Sequence, residues 1–141
     1  MIRMPAEWEF QSGVLVVFPH EKSDWAEDLE EAQAEFAGLV RAVARFEPCW
    51  VLCEDRDEVA GVLGDLEGVS LVEMATNDTW IRDYGPITIE RDGEWVWVDF
   101  MFNGWGLKCP AHLDNRVTRG LQRQRPDVVS QMGGMVLEGG S

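Results

Sequence analysis

A stretch apolar enough to cross a bilayer is missing from this 141-residue sequence; residues 14–18 are apolar but far too few. The first nine residues carry two acidic side chains and no apolar core, so they do not read as a signal peptide. A cytoplasmic protein with no membrane partner is expected. Basic residues are also scarce: 12 lysines and arginines face 26 aspartates and glutamates, for a formal net charge of −14. A field of that sign repels phosphate backbones and attracts cations, so nucleic acid is not an expected partner. Surplus carboxylates alone can serve solubility, and steering of a cation has to be argued from a site.

Histidine and cysteine are sparse as well. His20, His112 and the three cysteines form no close cluster, so neither a structural zinc site nor any other metal or cofactor is expected. Cys49 and Cys53 fall on one predicted strand, roughly 13 Å apart and beyond the reach of a disulfide. They read as small buried hydrophobes. What is plentiful is tryptophan, with seven in the chain, and side chains of that size need a packed interior or a lined pocket.

The apolar pattern alternates between strands and helices. Residues 13–18 form a short continuous run stopped by Pro19, as in a strand covered on both faces. Asp24 with Glu27 gives a helix start signal, and Leu29, Ala32, Phe36, Leu39, Val40, Val43 and Phe46 mark one helical stripe before Pro48. A strand at residues 50–53, a helix starting near Asp55 and a strand at residues 69–74 follow. This order is that of an α/β protein. Asp92-Gly93 between residues 87–90 and 95–100 is a hairpin signal, with both faces of the second strand expected to be covered. Asn103-Gly104-Trp105-Gly106 is a turn, and a modest helix is expected over residues 115–124. Met135-Val136-Leu137 begins a further strand close to Glu138-Gly139-Gly140, which suggests the front part of a longer chain, residues 1–141 forming one incomplete domain.

Residues 77–86 form a loop at a strand end, where binding groups are commonly placed. Asp83 can accept two parallel hydrogen bonds from a guanidinium, Trp80 can pack on a cation, and Arg82 can keep neighbouring carboxylates ionised. The competing reading is an internal Arg–Asp pair with a core tryptophan.

The string Asn77-Asp78-x-Trp80-x-Arg82-Asp83-x-Gly85-Pro86 resembles a signature of the agmatine deiminase family, also called the bacterial peptidylarginine deiminases. Four further segments do so in the family's order: residues 4–9; Phe18-Pro19-His20 with Ser23-Asp24-Trp25; residues 99–106 with Asp114-Asn115; and residues 137–141. The resemblance implies the N-terminal portion of a pentein, a five-bladed α/β propeller. It implies hydrolysis of agmatine to N-carbamoylputrescine and ammonia by a cysteine nucleophile, with no metal. By position, Asp83 matches the guanidinium clamp, Trp80 the aromatic channel lining, and Glu138 the glutamate that orients a catalytic histidine. Arg82 is grouped with Trp80 and Asp83 in substrate binding. The family's His-x-Asp pair and nucleophile fall downstream of this chain. His112-Leu113-Asp114 belongs to the middle motif, and Cys49, Cys53 and Cys109 do not match the nucleophile. The chain alone is therefore expected to be inactive. A peptidylarginine or free-arginine substrate, or a non-catalytic binding protein for cationic ligands, stay open as alternatives, as does a homo-oligomer.

Overall fold

The structure, a computed structural model, describes residues 1–140. Its contacts divide the chain into two compact units, one spanning Gln11–Ile81 and the other joining Met1–Phe10 to the chain from Arg82 onward.

In the first unit, strand β2 (Val14–Val17), helix α1 (Leu29–Ala44), β3 (Cys49–Cys53), α2 (Arg56–Leu63) and β4 (Val69–Glu73) alternate along the chain. The three strands form a parallel sheet in the order β2-β3-β4, with Val16 opposite Val51 and Val51 opposite Leu71. Right-handed crossovers between sequential parallel neighbours place the connecting helices on one face of such a sheet. The core on that face is built from Val16, Phe18, Cys49, Val51 and Cys53 of the strand side, against Ala37 and Val40 of α1 and Val59 and Leu63 of α2. The alternation explains the two cysteines: a period of two sends residues 49, 51 and 53 to the same side.

Both thiols are buried, and loss of hydration pushes each up to about 11. Cys109 is exposed in the other unit. Alkylation of the native chain near pH 8 should therefore modify one thiol quickly and the other two only after denaturation. Mass spectrometry of the labelled protein reads this directly; rapid triple labelling would show that the sheet opens on the timescale of the reaction.

Helix α2 starts as the sequence predicts. The Asp55 carboxylate accepts from the backbone N–H groups of Asp57 and Glu58, both at 2.9 Å. It stops at Gly64, whose φ of 73° only glycine adopts without penalty. Helix α1 does not start as predicted. A 3₁₀ turn at Ala26–Asp28 precedes it, and no side chain caps its N-terminus. Asp24, read as part of a start signal, is used elsewhere. Two members of the predicted stripe turn out of the core, Leu39 and Phe46 being exposed while Val40 is fully buried.

The second unit carries a four-stranded sheet in the order β1-β5-β6-β7, from β1 (Ile2–Arg3), β5 (Ile87–Arg91), β6 (Glu94–Met101) and β7 (Val129–Val136). Strands β5 and β6 form the predicted hairpin. Asp92 (φ 52°) and Gly93 (φ 88°) supply the two left-handed residues that a tight turn matching the strand twist requires. One face of β6 is less covered than expected: Val96 and Val98 are buried, whereas Trp95 stands exposed.

After β6 come a short turn α4 (Gly104–Leu107), a 3₁₀ turn and α5 (Val117–Gln124), which returns the chain to lay β7 parallel to β6. Helix α5 matches the expected modest helix, burying Val117, Thr118 and Leu121 despite Gly120. The last strand departs from expectation. Residues 135–137 were predicted to open a strand, and instead β7 begins at Val129 and is finished by Val136. Its middle is hidden in the sequence by Gly133 and Gly134. A side chain at Gly133 would collide with the Phe100 ring, and Gly134 (φ 71°) lies at a register shift between β6 and β7.

Candidate functional site

Residues 77–81 belong to the first unit and residues 82–86 to the second, and each part is built differently. The first half follows β4 and is tied down by a buried polar cluster. The Asp78 side chain accepts from its neighbour's N–H, Thr79, at 2.8 Å and from the Asp24 N–H at 3.3 Å. Burial holds the Asp78 carboxyl above its ordinary range, and the nearby Asp24 carboxylate pushes the same way. Trp80 ends this half with 42% of its surface exposed. Its indole N–H donates to Asp24 Oδ2 at 3.1 Å, and its ring lies against Trp25 with centroids 5.9 Å apart.

Behind this cluster sits His20, buried at the end of the first apolar run. Its Nε2 lies 3.1 Å from Thr76 Oγ1, and its Nδ1 accepts from the Lys22 N–H. Glu54, Asp78 and Lys22 are the charged groups around it, and loss of hydration outweighs them to hold the imidazole below its ordinary 6.5. The unfolded chain therefore takes up this proton first. The stabilisation is complete above about pH 6.5 and is lost as the pH falls towards the depressed folded value. His20→Gln, which retains a partner for Thr76, should flatten the pH dependence of urea stability in that window. An unchanged slope would show that His20 titrates alike in both states.

The second half is a single helical turn, α3 (Ile81–Tyr84). Arg82 reaches Glu7 at 2.7 Å, with both side chains exposed. Asp83, half-buried, accepts from the Trp105 indole N–H at 3.3 Å, and its carbonyl accepts from the Gly139 N–H at 3.2 Å. Among the described residues, then, Arg82 pairs with Glu7 while the Asp83 carboxylate receives an indole. The internal Arg–Asp pair with a core tryptophan is not the arrangement found, since Arg82 meets a glutamate at the surface and Trp80 is partly exposed.

Two distant sequence motifs converge on Asp83. A side chain added to Gly139 would strike the Arg82 carbonyl, and one added to Gly140 would come within 2.5 Å of Asp83 Oδ1. Glycine is needed there so that the Glu138-Gly139-Gly140 segment can lie against α3. Glu138 itself is half-buried beside them in sequence. From the other direction comes α4, where Gly104, Trp105, Gly106 and Leu107 all have positive φ. Two of these are not glycine, an uncommon conformation that surrounding structure must enforce. Asn103 Oδ1 accepts from the Gly106 N–H at 2.9 Å, and Phe102 meets Trp105 edge-on with centroids 5.0 Å apart. Asn115 holds the preceding strand end, bonding both the N–H and the carbonyl of Phe102. His112 is exposed while Asp114 is buried, so this His-x-Asp string does not form a facing pair.

The model of the Porphyromonas-type peptidyl-arginine deiminases matches residues 3–141. The chain belongs to that family. An agmatine deiminase of Pseudomonas syringae pv. tomato is 38% identical over 147 residues, covering 98% of this chain and 39% of the relative. One from Ectopseudomonas mendocina is 37% identical over 151 residues, covering 98% of this chain and 39% of the relative. The structure of C. jejuni agmatine deiminase with substrate bound superposes with a TM-score of 0.94 at 35% identity, covering the whole of this chain and 42% of the other. The chain thus spans about two-fifths of the length of these deiminases and matches their N-terminal portion.

Within the second unit, Arg82 and Asp83 lie against the Gly139-Gly140 segment. Trp105, Asp24 and Trp25 had motif positions but no assigned role. An indole N–H partner depends on chain folding over 22 residues for Trp105 and 56 for Trp80, and no local spacing signals it.

Proposed function

We propose that this chain is the N-terminal, guanidinium-binding part of a pentein-type deiminase. The whole protein would hydrolyse agmatine to N-carbamoylputrescine and ammonia. Asp83 clamps the guanidinium through charge-assisted hydrogen bonds, and Trp80 lines the approach. Arg82, engaged by Glu7, belongs to the substrate-binding group as a cation close to Asp83 in sequence that does not compete for its carboxylate. Glu138 orients a histidine, and a cysteine thiolate attacks the guanidinium carbon, both supplied by chain beyond residue 141. Ammonia leaves from the resulting tetrahedral centre, and water then replaces sulfur to give the ureido product.

The observation that carries this reading is the pairing at Asp83. A carboxylate has about four acceptor sites, and here Asp83 receives one indole N–H, with the arginine next to it turned to another acid. The acidic surplus of the chain adds attraction for a cation. Small cationic guanidines are favoured over peptides by the names of the relatives, whereas the family description favours peptidyl-arginine; parallel assays on agmatine and on an arginine-containing peptide separate the two. The full-length protein should release ammonia from agmatine, and the 141-residue chain alone should not. Turnover by the isolated chain would overturn the division of the site, and agmatine binding without any turnover by the full-length protein would favour a binding protein. No helix among the described residues is long and apolar enough to cross a membrane.

A further inference from the structure

The segment Ser23-Asp24-Trp25 is left over once α1 is accounted for. Asp24 sits where a helix cap was expected, yet it caps nothing, since α1 begins after a 3₁₀ turn with no side-chain cap. We propose that Asp24 is a positioning residue for the substrate-lining indole, holding the Trp80 ring in a single orientation by accepting its N–H. The proposal rests on the reading of Trp80 given above.

Three contacts within the Gln11–Ile81 unit act on that one side chain. Asp78 bonds the N–H groups of both Thr79 and Asp24, which ties the backbone before Trp80 to the segment holding Asp24. Trp25 then covers part of the ring, with the planes inclined at 35°. Trp25 is itself fixed by its indole N–H on Thr79 Oγ1 at 2.9 Å and by an edge contact with Phe36. Asp24 Oδ2 completes the set from the ring edge. A ring anchored only for packing would be buried, and Trp80 is 42% exposed. The second side-chain torsion of a tryptophan has two broad wells, and exchanging them swings the six-membered ring and Nε1 to opposite sides. A bond at Nε1 therefore selects the orientation offered to a ligand. Attraction of a cation by an aromatic depends on where the ring face points, and a carboxylate at Nε1 also makes the face more electron-rich.

The test compares Asp24→Ala, Asp24→Asn, Trp80→Phe, Trp80→Ala and the Asp24→Ala/Trp80→Phe double variant in the full-length protein, using agmatine. Asp24→Ala should raise KM about five- to tenfold, the worth of one ordinary, partly solvated hydrogen bond, with kcat nearly unchanged. Asp24→Asn keeps an acceptor oxygen and should restore KM to within about twofold. In the Trp80→Phe background, which has no N–H to hold, Asp24→Ala should add less than about twofold. Fully additive effects would overturn the proposal. If Trp80→Ala raises KM and Asp24→Ala does not, only the positioning role falls; if Trp80→Ala leaves KM unchanged, the substrate-lining role falls with it. A readout independent of turnover guards against a misfolded variant. With indole-¹⁵N tryptophan, the Trp80 N–H should exchange slowly in the unmodified protein, and rapid exchange there would overturn the bond itself.

Discussion

Replacing Asp83 by alanine in the full-length protein is expected to lower kcat/KM for agmatine by about a thousandfold. Two charge-assisted hydrogen bonds to a guanidinium are worth ~1.5–3 kcal/mol each, which together correspond to roughly 10²–10⁴ in kcat/KM. Asp83→Asn keeps one acceptor and the shape but loses the charge, and it should recover only part of that loss. Trp105→Phe is the informative companion. It removes the one indole donor to Asp83 while leaving the carboxylate and the ring, so its cost should be about that of a single hydrogen bond, tenfold or less. Ammonia release at saturating and limiting agmatine measures all three. If Asp83→Ala costs less than Trp105→Phe, then Asp83 serves as a structural acceptor for Trp105 and the clamp lies elsewhere.

Phe102→Ala is expected to have the largest effect on folding. Its side chain is 1% exposed and packs between Tyr84 of α3, at 5.9 Å, and Trp105 of α4, at 5.0 Å. Removing a buried phenyl ring costs about 3–5 kcal/mol through lost burial and the cavity left behind. That is a large share of what a domain this size commands. Phe102→Leu fills most of the space and should cost far less. Both can be read from denaturant unfolding, and the alanine variant should also weaken agmatine binding, since the ring braces the turns carrying Asp83 and its donor. A loss below about 1 kcal/mol would mean that the contact closes over the gap.

Local physics made much of the first unit legible. Residues 14–18, 50–53 and 69–74 are short β-rich apolar runs, and the order of strands and helices between them leaves a parallel sheet as the natural solution. Asp55 capped the helix it was predicted to cap, because an acid two and three residues ahead of orphan N–H groups meets them whatever lies around it. The Asp92-Gly93 hairpin followed from the same kind of short-range geometry. Strand β7 was misplaced because Gly133 and Gly134 erase the apolar pattern, and their reason, a ring against one and a register shift at the other, involves β6 some 30 residues away. Trp95 on β6 was expected to be covered and is not, since coverage of a sheet face is decided by what packs on it.

The candidate site divides along the same line. Residue types and their order, from Asn77 to Pro86 and again at Glu138-Gly139-Gly140, were enough to place a guanidinium-binding family resemblance, because a motif of carboxylates, arginine and indole is local information. Which acid each of them meets was not. Arg82 could pair with Asp83 or with Glu7, and the choice of Glu7 is made by β1 pairing with β5 in the same unit, not by any spacing along the chain. Asp24 could cap a helix or hold an indole, and tertiary packing brought Trp80 to it across 56 residues. The sequence by itself determined the chemical groups and the short elements that carry them. Only the tertiary structure decided their partners, because a hydrogen bond between distant residues depends on the whole path of chain that joins them.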